Sequence, residues 1–239
     1  MNRRLVLYKY RVFGNFTDEI ILNSELYFAT HNSFNDPFDC NLGLREISSY
    51  TDKEYNRFFN KKVFWKEKDL RNFSEKLISA KAKVGILSMS MNYKNILMWS
   101  HYSKYHEGLC FGFDSRLFED IRINSSQVKY INNIKYELIS FFNPPKDEIK
   151  RMFTTKSEFW SYEKEVRFFD FDNGIGAKKF DKECLIEIIF GCKADEINIK
   201  KIIQLCQSNG FEHVVFKKAR IVLGKFELNF DEIEKKDYL

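Results

Sequence analysis

WSYEKEVRFFDF, running from Trp160 to Phe171, is the stretch on which the reading of this chain turns. Strand side chains alternate with a period of two. A strand over 163–171 therefore places Glu163, Glu165 and Arg167 on one face. Tyr162, Val166 and Phe168 take the other, with Lys164 at the exposed start. On an open surface such a carboxylate–guanidinium set contributes little. Trp160 and Tyr162 change the expectation, because bulky aromatics can wall off a polar cluster and strengthen its electrostatics. Two carboxylates at neighbouring positions can then differ in pKa, which lets one act as a base.

Working outward, two further strands are expected at about 184–190 and 213–217, with a helix at 195–208 between them. On the N-terminal side, strands are expected at 4–12, 25–30, 83–91 and 109–114. A short helix starts near Thr17, with Asp18 and Glu19 in the first turn, where the helix dipole favours acids. The segment 51–82, free of Pro and Gly, reads as two helices, the second from about Trp65 to Ala82. Asn95–Glu107 reads as another, with Gly108 as its left-handed stop. Pro144–Pro145 breaks a helix from one beginning near Asp147. VLGKFEL (222–228) reads as a final strand. The expected fold is α+β: a mixed, mostly antiparallel central sheet with flanking helices, one domain over 1–239, and a helical insertion at about 44–82.

Composition sets the class. Of 239 residues 44% are hydrophobic, and 25 Phe, 12 Tyr and 3 Trp supply a heavily aromatic interior, so a globular protein is expected. The formal net charge of +5 is compatible with a phosphate-bearing partner. Acids and bases interleave, however, instead of forming the basic stripe of a dedicated nucleic-acid binder. The five cysteines contain no C-x-x-C pair, which argues against a zinc ribbon or a disulfide framework and suits a reducing compartment. The N-terminus has no secretory pattern and no run approaches the roughly 18 apolar residues that span a bilayer. A cytoplasmic protein with no membrane partner is expected; the oligomeric state stays open.

Three other segments could carry chemistry. Asn35 and Asp36 open the turn NDPFD (35–39), in which Pro37 fixes the geometry and the Asx side chains can bond the main chain. A well-capped turn accounts for these residues; a metal site would instead use Asp36 and Asp39 with Glu163 and Glu165. On the helix NILMWSHYSKYHEG (95–108), Met98, His101, Tyr102 and Tyr105 form one stripe. His101 and His106 are five apart and do not make the i, i+4 zinc pair. His101 fits either a core histidine or one that touches a ligand. Ser88 and Ser90 share a strand face, an unusual use of serine that suggests something polar beside them. No G-x-S-x-G elbow, Walker A loop or G-x-G-x-x-G pattern is present.

Four strings in this order, LYKYR (7–11), FNDPF (34–38), MWSHY with HEG (98–102 and 106–108) and WSYEKEVR (160–167), resemble the bacterial family known as domain of unknown function 2971. IEIIFGCKADE (186–196) fits its usual ending. The resemblance implies that these segments belong together, in bacterial genomes and often in mobile or defence-related neighbourhoods, including phage defence; Trp99 and Trp160 belong to its strings. It brings no activity. A second resemblance is to ADP-ribosyltransferases, which carry a basic residue at the end of the first strand, a Ser-containing strand, and a Glu or E-x-E at a later strand. Arg11, Ser88 with Ser90, and Glu163-Lys164-Glu165 occur here in that order. The resemblance implies an ADP-ribosyltransferase-like fold and NAD as co-substrate, with no bound metal. Arg11 would hold phosphate, Ser88, Ser90 and His101 would shape the cleft, and Tyr102 would stack on nicotinamide. Glu165, assisted by Glu163, would drive glycosidic cleavage, and the acceptor would be nucleic acid or protein. Two other readings stand beside it: a metal-dependent nuclease or phosphoesterase using Asp36, Asp39, Glu163 and Glu165, and a non-catalytic sensor in which Arg167, Arg11 and His101 grip an anion.

Overall fold

The computed structural model describes residues 5–40, 67–116, 124–132 and 145–238. In chain order the elements are β1 (Val6–Arg11), α1 (Asn15–Leu22), β2 (Glu25–Phe28), α2 (Glu67–Lys83), β3 (Gly85–Ser90), α3 (Ile96–Tyr102) and β4 (Leu109–Asp114). Then follow β5 (Asn124–Gln127), β6 (Lys129–Ile131), α4 (Pro145–Phe153), β7 (Thr155–Ser157), β8 (Glu165–Asp170) and β9 (Gly176–Lys179). The last are β10 (Leu185–Phe190), α5 (Glu196–Ser208), β11 (Val215–Ile221) and β12 (Leu228–Glu232). Eight strands form the main sheet in the order β12-β11-β10-β4-β1-β3-β8-β5. Only β10 and β11, joined by α5, run parallel; the other neighbours are antiparallel. The fold is therefore α+β, with a mixed, mostly antiparallel central sheet and flanking helices.

Each sheet face buries a different set of residues. Leu7, Phe111, Phe113, Met89, Phe168, Ile188 and Phe190 cover one face and pack with Ile20 and Ile21 of α1 and Ile199, Ile202 and Ile203 of α5. Those α5 positions recur at the three-to-four spacing of an amphipathic helix, and Asp195 caps its N-terminus by accepting from Asn198 N. On the opposite face Tyr8, Tyr10, Cys110 and Ile189 pack with Met98 and Trp99 of α3. Further along that face, Ile86 and Phe169 pack with Leu77 of α2 and Ile149, Met152 and Phe153 of α4. Between these two apolar clusters lie Ser88, Ser90, Glu165 and Arg167, placed together by the pairs Ser88↔Arg167 and Ser90↔Glu165.

The sheet splits at its centre. β1 pairs with β4 over six residues from Val6 to Arg11, but its register with β3 consists of the single pair Tyr8↔Ser90. Past that pair, Lys9 Nζ reaches across and donates to the Ser88 carbonyl at 2.8 Å. Ala29, just after β2, takes the vacated edge of β3 at Ile86 through two backbone hydrogen bonds of 2.8 and 2.9 Å.

Several expectations change. The strand beginning at 163 begins at Glu165 instead: Glu158–Glu163 is a 3-10 helix, and Lys164 is left-handed at φ 44°. The helix over 95–107 ends at Tyr102, because Lys104, Tyr105 and His106 all adopt left-handed backbone (φ 48°, 56° and 72°). Tyr105 accordingly leaves the stripe and is exposed. Gly108 is not the left-handed stop; it is needed because a Cβ there would lie 2.2 Å from the Arg11 carbonyl oxygen. VLGKFEL is mostly a turn around Gly224, and the last strand is Leu228–Glu232. The second helix of the 44–82 insertion exists as α2, whereas the first falls outside the described residues. Among the described residues no helix is long and apolar enough to cross a membrane.

Candidate functional site

The central split opens into a cavity of about 990 Å³. β1 contributes Lys9 and Arg11, β3 contributes Ser88 and Ser90, and β8 contributes Glu165 and Arg167. Glu163, Lys156, Asn35, Asp39, His101 and Tyr102 line it as well. Thus Arg11, Ser88 and Glu165, drawn from three neighbouring strands, share one cleft.

Its deepest feature is a buried charge network. Arg167, fully buried, donates from Nε to Glu165 Oε1 at 2.7 Å and from Nη2 to Glu165 Oε2 at 2.8 Å. The same guanidinium holds Asp39 through Nη1–Oδ1 at 2.8 Å and Nη2–Oδ2 at 2.6 Å, and donates to the Phe153 carbonyl at 2.8 Å. Two bidentate pairs from one planar fork fix both carboxylates in orientation. Lys156 Nζ donates to Glu163 Oε2 at 2.6 Å and lies 3.4 Å from Asp39 Oδ2 and 3.5 Å from Glu165 Oε2. Tyr102 OH donates to the other Glu163 oxygen at 2.5 Å, and Asn35 hydrogen-bonds Tyr102 in turn. Ser90 Oγ donates to the Glu163 carbonyl at 2.6 Å and accepts from Asn92 N, which pins the turn carrying Glu163.

Three carboxylates against two cations leave this cluster one negative charge when all are ionised. The carboxylates respond differently. Burial pushes the Glu165 carboxyl up, but Arg167 and Lys156 beside it, with a hydrogen bond from Ser88, outweigh that and hold it at about 2. Burial raises Glu163 above the usual carboxylate range, with Lys156 only partly offsetting it and Glu165 adding to it. Paired carboxylates driven apart in this way are suited to different roles, one ionised and one able to carry a proton. Burial lowers Lys156, yet Glu165, Glu163 and Asp39 outweigh it and keep the ammonium charged.

An acid-stability window follows. Glu165 titrates near 4.5 in the unfolded chain and near 2 folded, so its stabilising contribution is complete above about 4.5 and is lost as pH falls toward 2. Glu163, shifted upward, contributes with the opposite sign. Urea midpoints measured from pH 6 to pH 2.5 are expected to fall, and the Glu165→Gln variant to show a shallower slope over that interval. An unchanged slope would remove Glu165 as the origin.

The remaining expected site residues divide. Arg11 enters the cleft with its Nε buried and without a hydrogen-bond partner. His101 is exposed and sits about 6.2 Å, centroid to centroid, from both Trp160 and Tyr162. Trp160 covers Lys156, whose Nζ lies 4.9 Å from a ring centroid. Trp99 is wholly buried, donates to the Tyr93 carbonyl at 2.7 Å and packs edge-on against Tyr10, so it is a core residue. Asp36 accepts from Phe38 N at 2.9 Å, the capped turn anticipated for it, and its carbonyl accepts from Asp39 N at 3.0 Å. Arg167 is engaged within the protein on every nitrogen and is not placed to grip a ligand. Among the described residues, no three or more His, Cys, Asp or Glu stand together in a way that could hold a metal ion.

Sequence reading missed Lys156 and Lys9. Lys156 lies on a three-residue strand paired only with β6, too short for any periodic signal. Lys9 was accessible: it stands two residues before Arg11, on the same face of β1.

Fold and site together define an α+β protein with a buried carboxylate–cation network at a central split in its sheet. A family model described as "Protein of unknown function (DUF2971)" matches residues 98–168, which run from α3 through β8 and include MWSHY, HEG and WSYEKEVR. The match covers less than a third of the chain. No curated protein and no solved structure matches.

Proposed function

We propose that the cleft binds NAD and that the protein is an ADP-ribosyltransferase-like enzyme, which cleaves the nicotinamide–ribose bond and transfers ADP-ribose to a nucleic acid or protein acceptor. One observation carries the reading: the Arg, Ser and Glu segments that resemble those enzymes are adjacent strands, β1, β3 and β8, and line one cavity. A cavity of about 990 Å³ is at the upper end of the range for small-molecule sites, roughly 300–1,000 Å³. Lys9 and Arg11 supply positive charge for a pyrophosphate, and the unpartnered Arg11 Nε provides a donor for it. The excess negative charge of the network suits a substrate whose nicotinamide is cationic and whose transition state develops oxocarbenium character. Glu165 would remain ionised through the reaction and stabilise that charge electrostatically. Glu163, which titrates higher, would accept the proton of the attacking acceptor group.

Binding tests the reading directly. NAD is expected to raise the melting temperature in a concentration-dependent way. Arg11→Ala is expected to weaken NAD binding about 10- to 100-fold, the value of a hydrogen bond to a charged group. No stabilisation by millimolar NAD, or equal affinity in Arg11→Ala, would remove the proposal.

A further inference from the structure

We infer that Lys9 is a nucleophilic amine and that the cleft takes short phosphorylated aldehydes as imines of Lys9, with Arg11 holding the phosphate. The inference stands apart from the NAD reading, because NAD carries no aldehyde. Two lysines line the cavity, and their surroundings differ. Lys156 is buried among Asp39, Glu163 and Glu165, whose charges keep its proton in place. Lys9 stands on β1 at the split in the sheet, half-buried, and its Nζ donates to the Ser88 carbonyl at 2.8 Å. Among the described residues it makes no ion pair. A carbonyl accepts from a neutral amine as well as from an ammonium, so this bond orients the nitrogen without holding its proton.

Burial and the charge of Arg11 pull the Lys9 ammonium down to about 8, with Glu165 and Cys110 only partly opposing them. At pH 7.5 about a quarter of the amine is then free base, against about a thousandth for an ordinary lysine. The free amine adds to the aldehyde carbon and forms the C–N bond. A proton passes from nitrogen to the former carbonyl oxygen, and the C–O bond breaks as water leaves. No oxidant, reductant or further reactant is consumed. Glu165, which acts electrostatically on Lys9, favours the protonated imine. Arg11 supplies the selectivity. It lies two residues further along the same face of β1, about 6.5 Å away at strand rise. Its Nε is buried without a hydrogen-bond partner, and a phosphate oxygen would complete it. Asp39 and Glu165 are held by Arg167, and Glu163 by Lys156 and Tyr102, which leaves both cations of β1 to a ligand. That separation suits a carbonyl and a phosphate joined by a short carbon chain or a single ring.

The experiment incubates the full chain with pyridoxal 5′-phosphate or with pyridoxal, traps the imine with borohydride and maps the label by peptide mass. With the phosphate, Lys9 is expected to label at least about tenfold faster than any other lysine. Its rate should rise with pH to a midpoint near 8, and not near the 10.5 of an ordinary lysine. Lys9→Arg, which keeps the charge, is expected to abolish the fast phase. Arg11→Ala is expected to reduce the preference for pyridoxal 5′-phosphate over pyridoxal at least about tenfold, the value of a hydrogen bond to a charged group. Melting curves of both variants run in parallel, and the wild-type map and pH profile stand without either variant. Labelling spread evenly over the lysines, a midpoint near 10.5, or a fast phase that survives Lys9→Arg overturns the inference. A preference for the phosphate that is unchanged in Arg11→Ala removes Arg11 and the selectivity with it.

Discussion

Glu165→Gln is expected to reduce NAD cleavage about 10²- to 10³-fold, the loss typical of removing one preorganised electrostatic stabiliser. The substitution keeps shape and hydrogen-bonding oxygen and deletes the charge. The effect belongs on turnover and not on NAD affinity, because the carboxylate matters most when positive charge develops at the ribose. Arg167 donates to both Glu165 oxygens at 2.7 and 2.8 Å, which fixes them and, with Lys156, holds the carboxyl pKa down to about 2 against the effect of burial. Those bonds do not annul its charge for the cluster, which has one negative charge beyond its two cations when all three carboxylates are ionised. The measurement is single-turnover NAD cleavage, with the melting curve of the variant recorded in parallel. Wild-type turnover in a folded Glu165→Gln protein would reduce the carboxylate to a structural partner of Arg167.

Arg167→Met is expected to destabilise the protein by about 3–5 kcal/mol, because it leaves two buried carboxylates without their cation. Asp39 and Glu165 both depend on this one guanidinium, and both are at least nine-tenths buried. Lys156, at 3.4 and 3.5 Å, remains beside them, and Lys81 acts electrostatically on Asp39 and Lys9 on Glu165. The Arg167→Met/Asp39→Asn variant should cost less than the sum of the single changes, since removing one orphaned charge relieves part of the penalty. Urea denaturation of the four proteins checks this. Additive costs would mean that Asp39 and Arg167 do not stabilise one another.

The network explains why one loop is tied to a distant strand. Asp39 and Arg167 are separated by 128 positions, and their bond joins the NDPFD turn to β8 directly beside the cavity. The WSYEKEVR segment reaches the same place by a different route from the alternation that suggested it. Lys164 breaks the strand with a left-handed turn, and Glu163 approaches from a 3-10 helix. It converges with Glu165 because Lys156 and Tyr102 draw it in.

Local pattern was enough to identify most of the frame. Short runs rich in apolar and aromatic residues placed β1, β3, β4 and β10, alternation placed β8, and the segment 195–208 read as the helix α5. Alternation also put Glu165 and Arg167 on one strand face with Ser88 and Ser90 on another. Short strands such as β5, β6, β7 and β9 left no such signal, and the left-handed run at 104–106 was hidden in residues that elsewhere continue a helix. Tertiary structure alone decided the rest. The single Tyr8↔Ser90 pair opens the sheet into a cleft. Burial turns an ordinary Glu–Arg strand face into a network in which Glu165 stays ionised, Glu163 titrates higher, and Lys156 balances both. Sequence spacing can place a charge on a face. Whether that face meets water or another charge depends on residues more than a hundred positions away, and with it the dielectric and pKa on which any chemistry here rests.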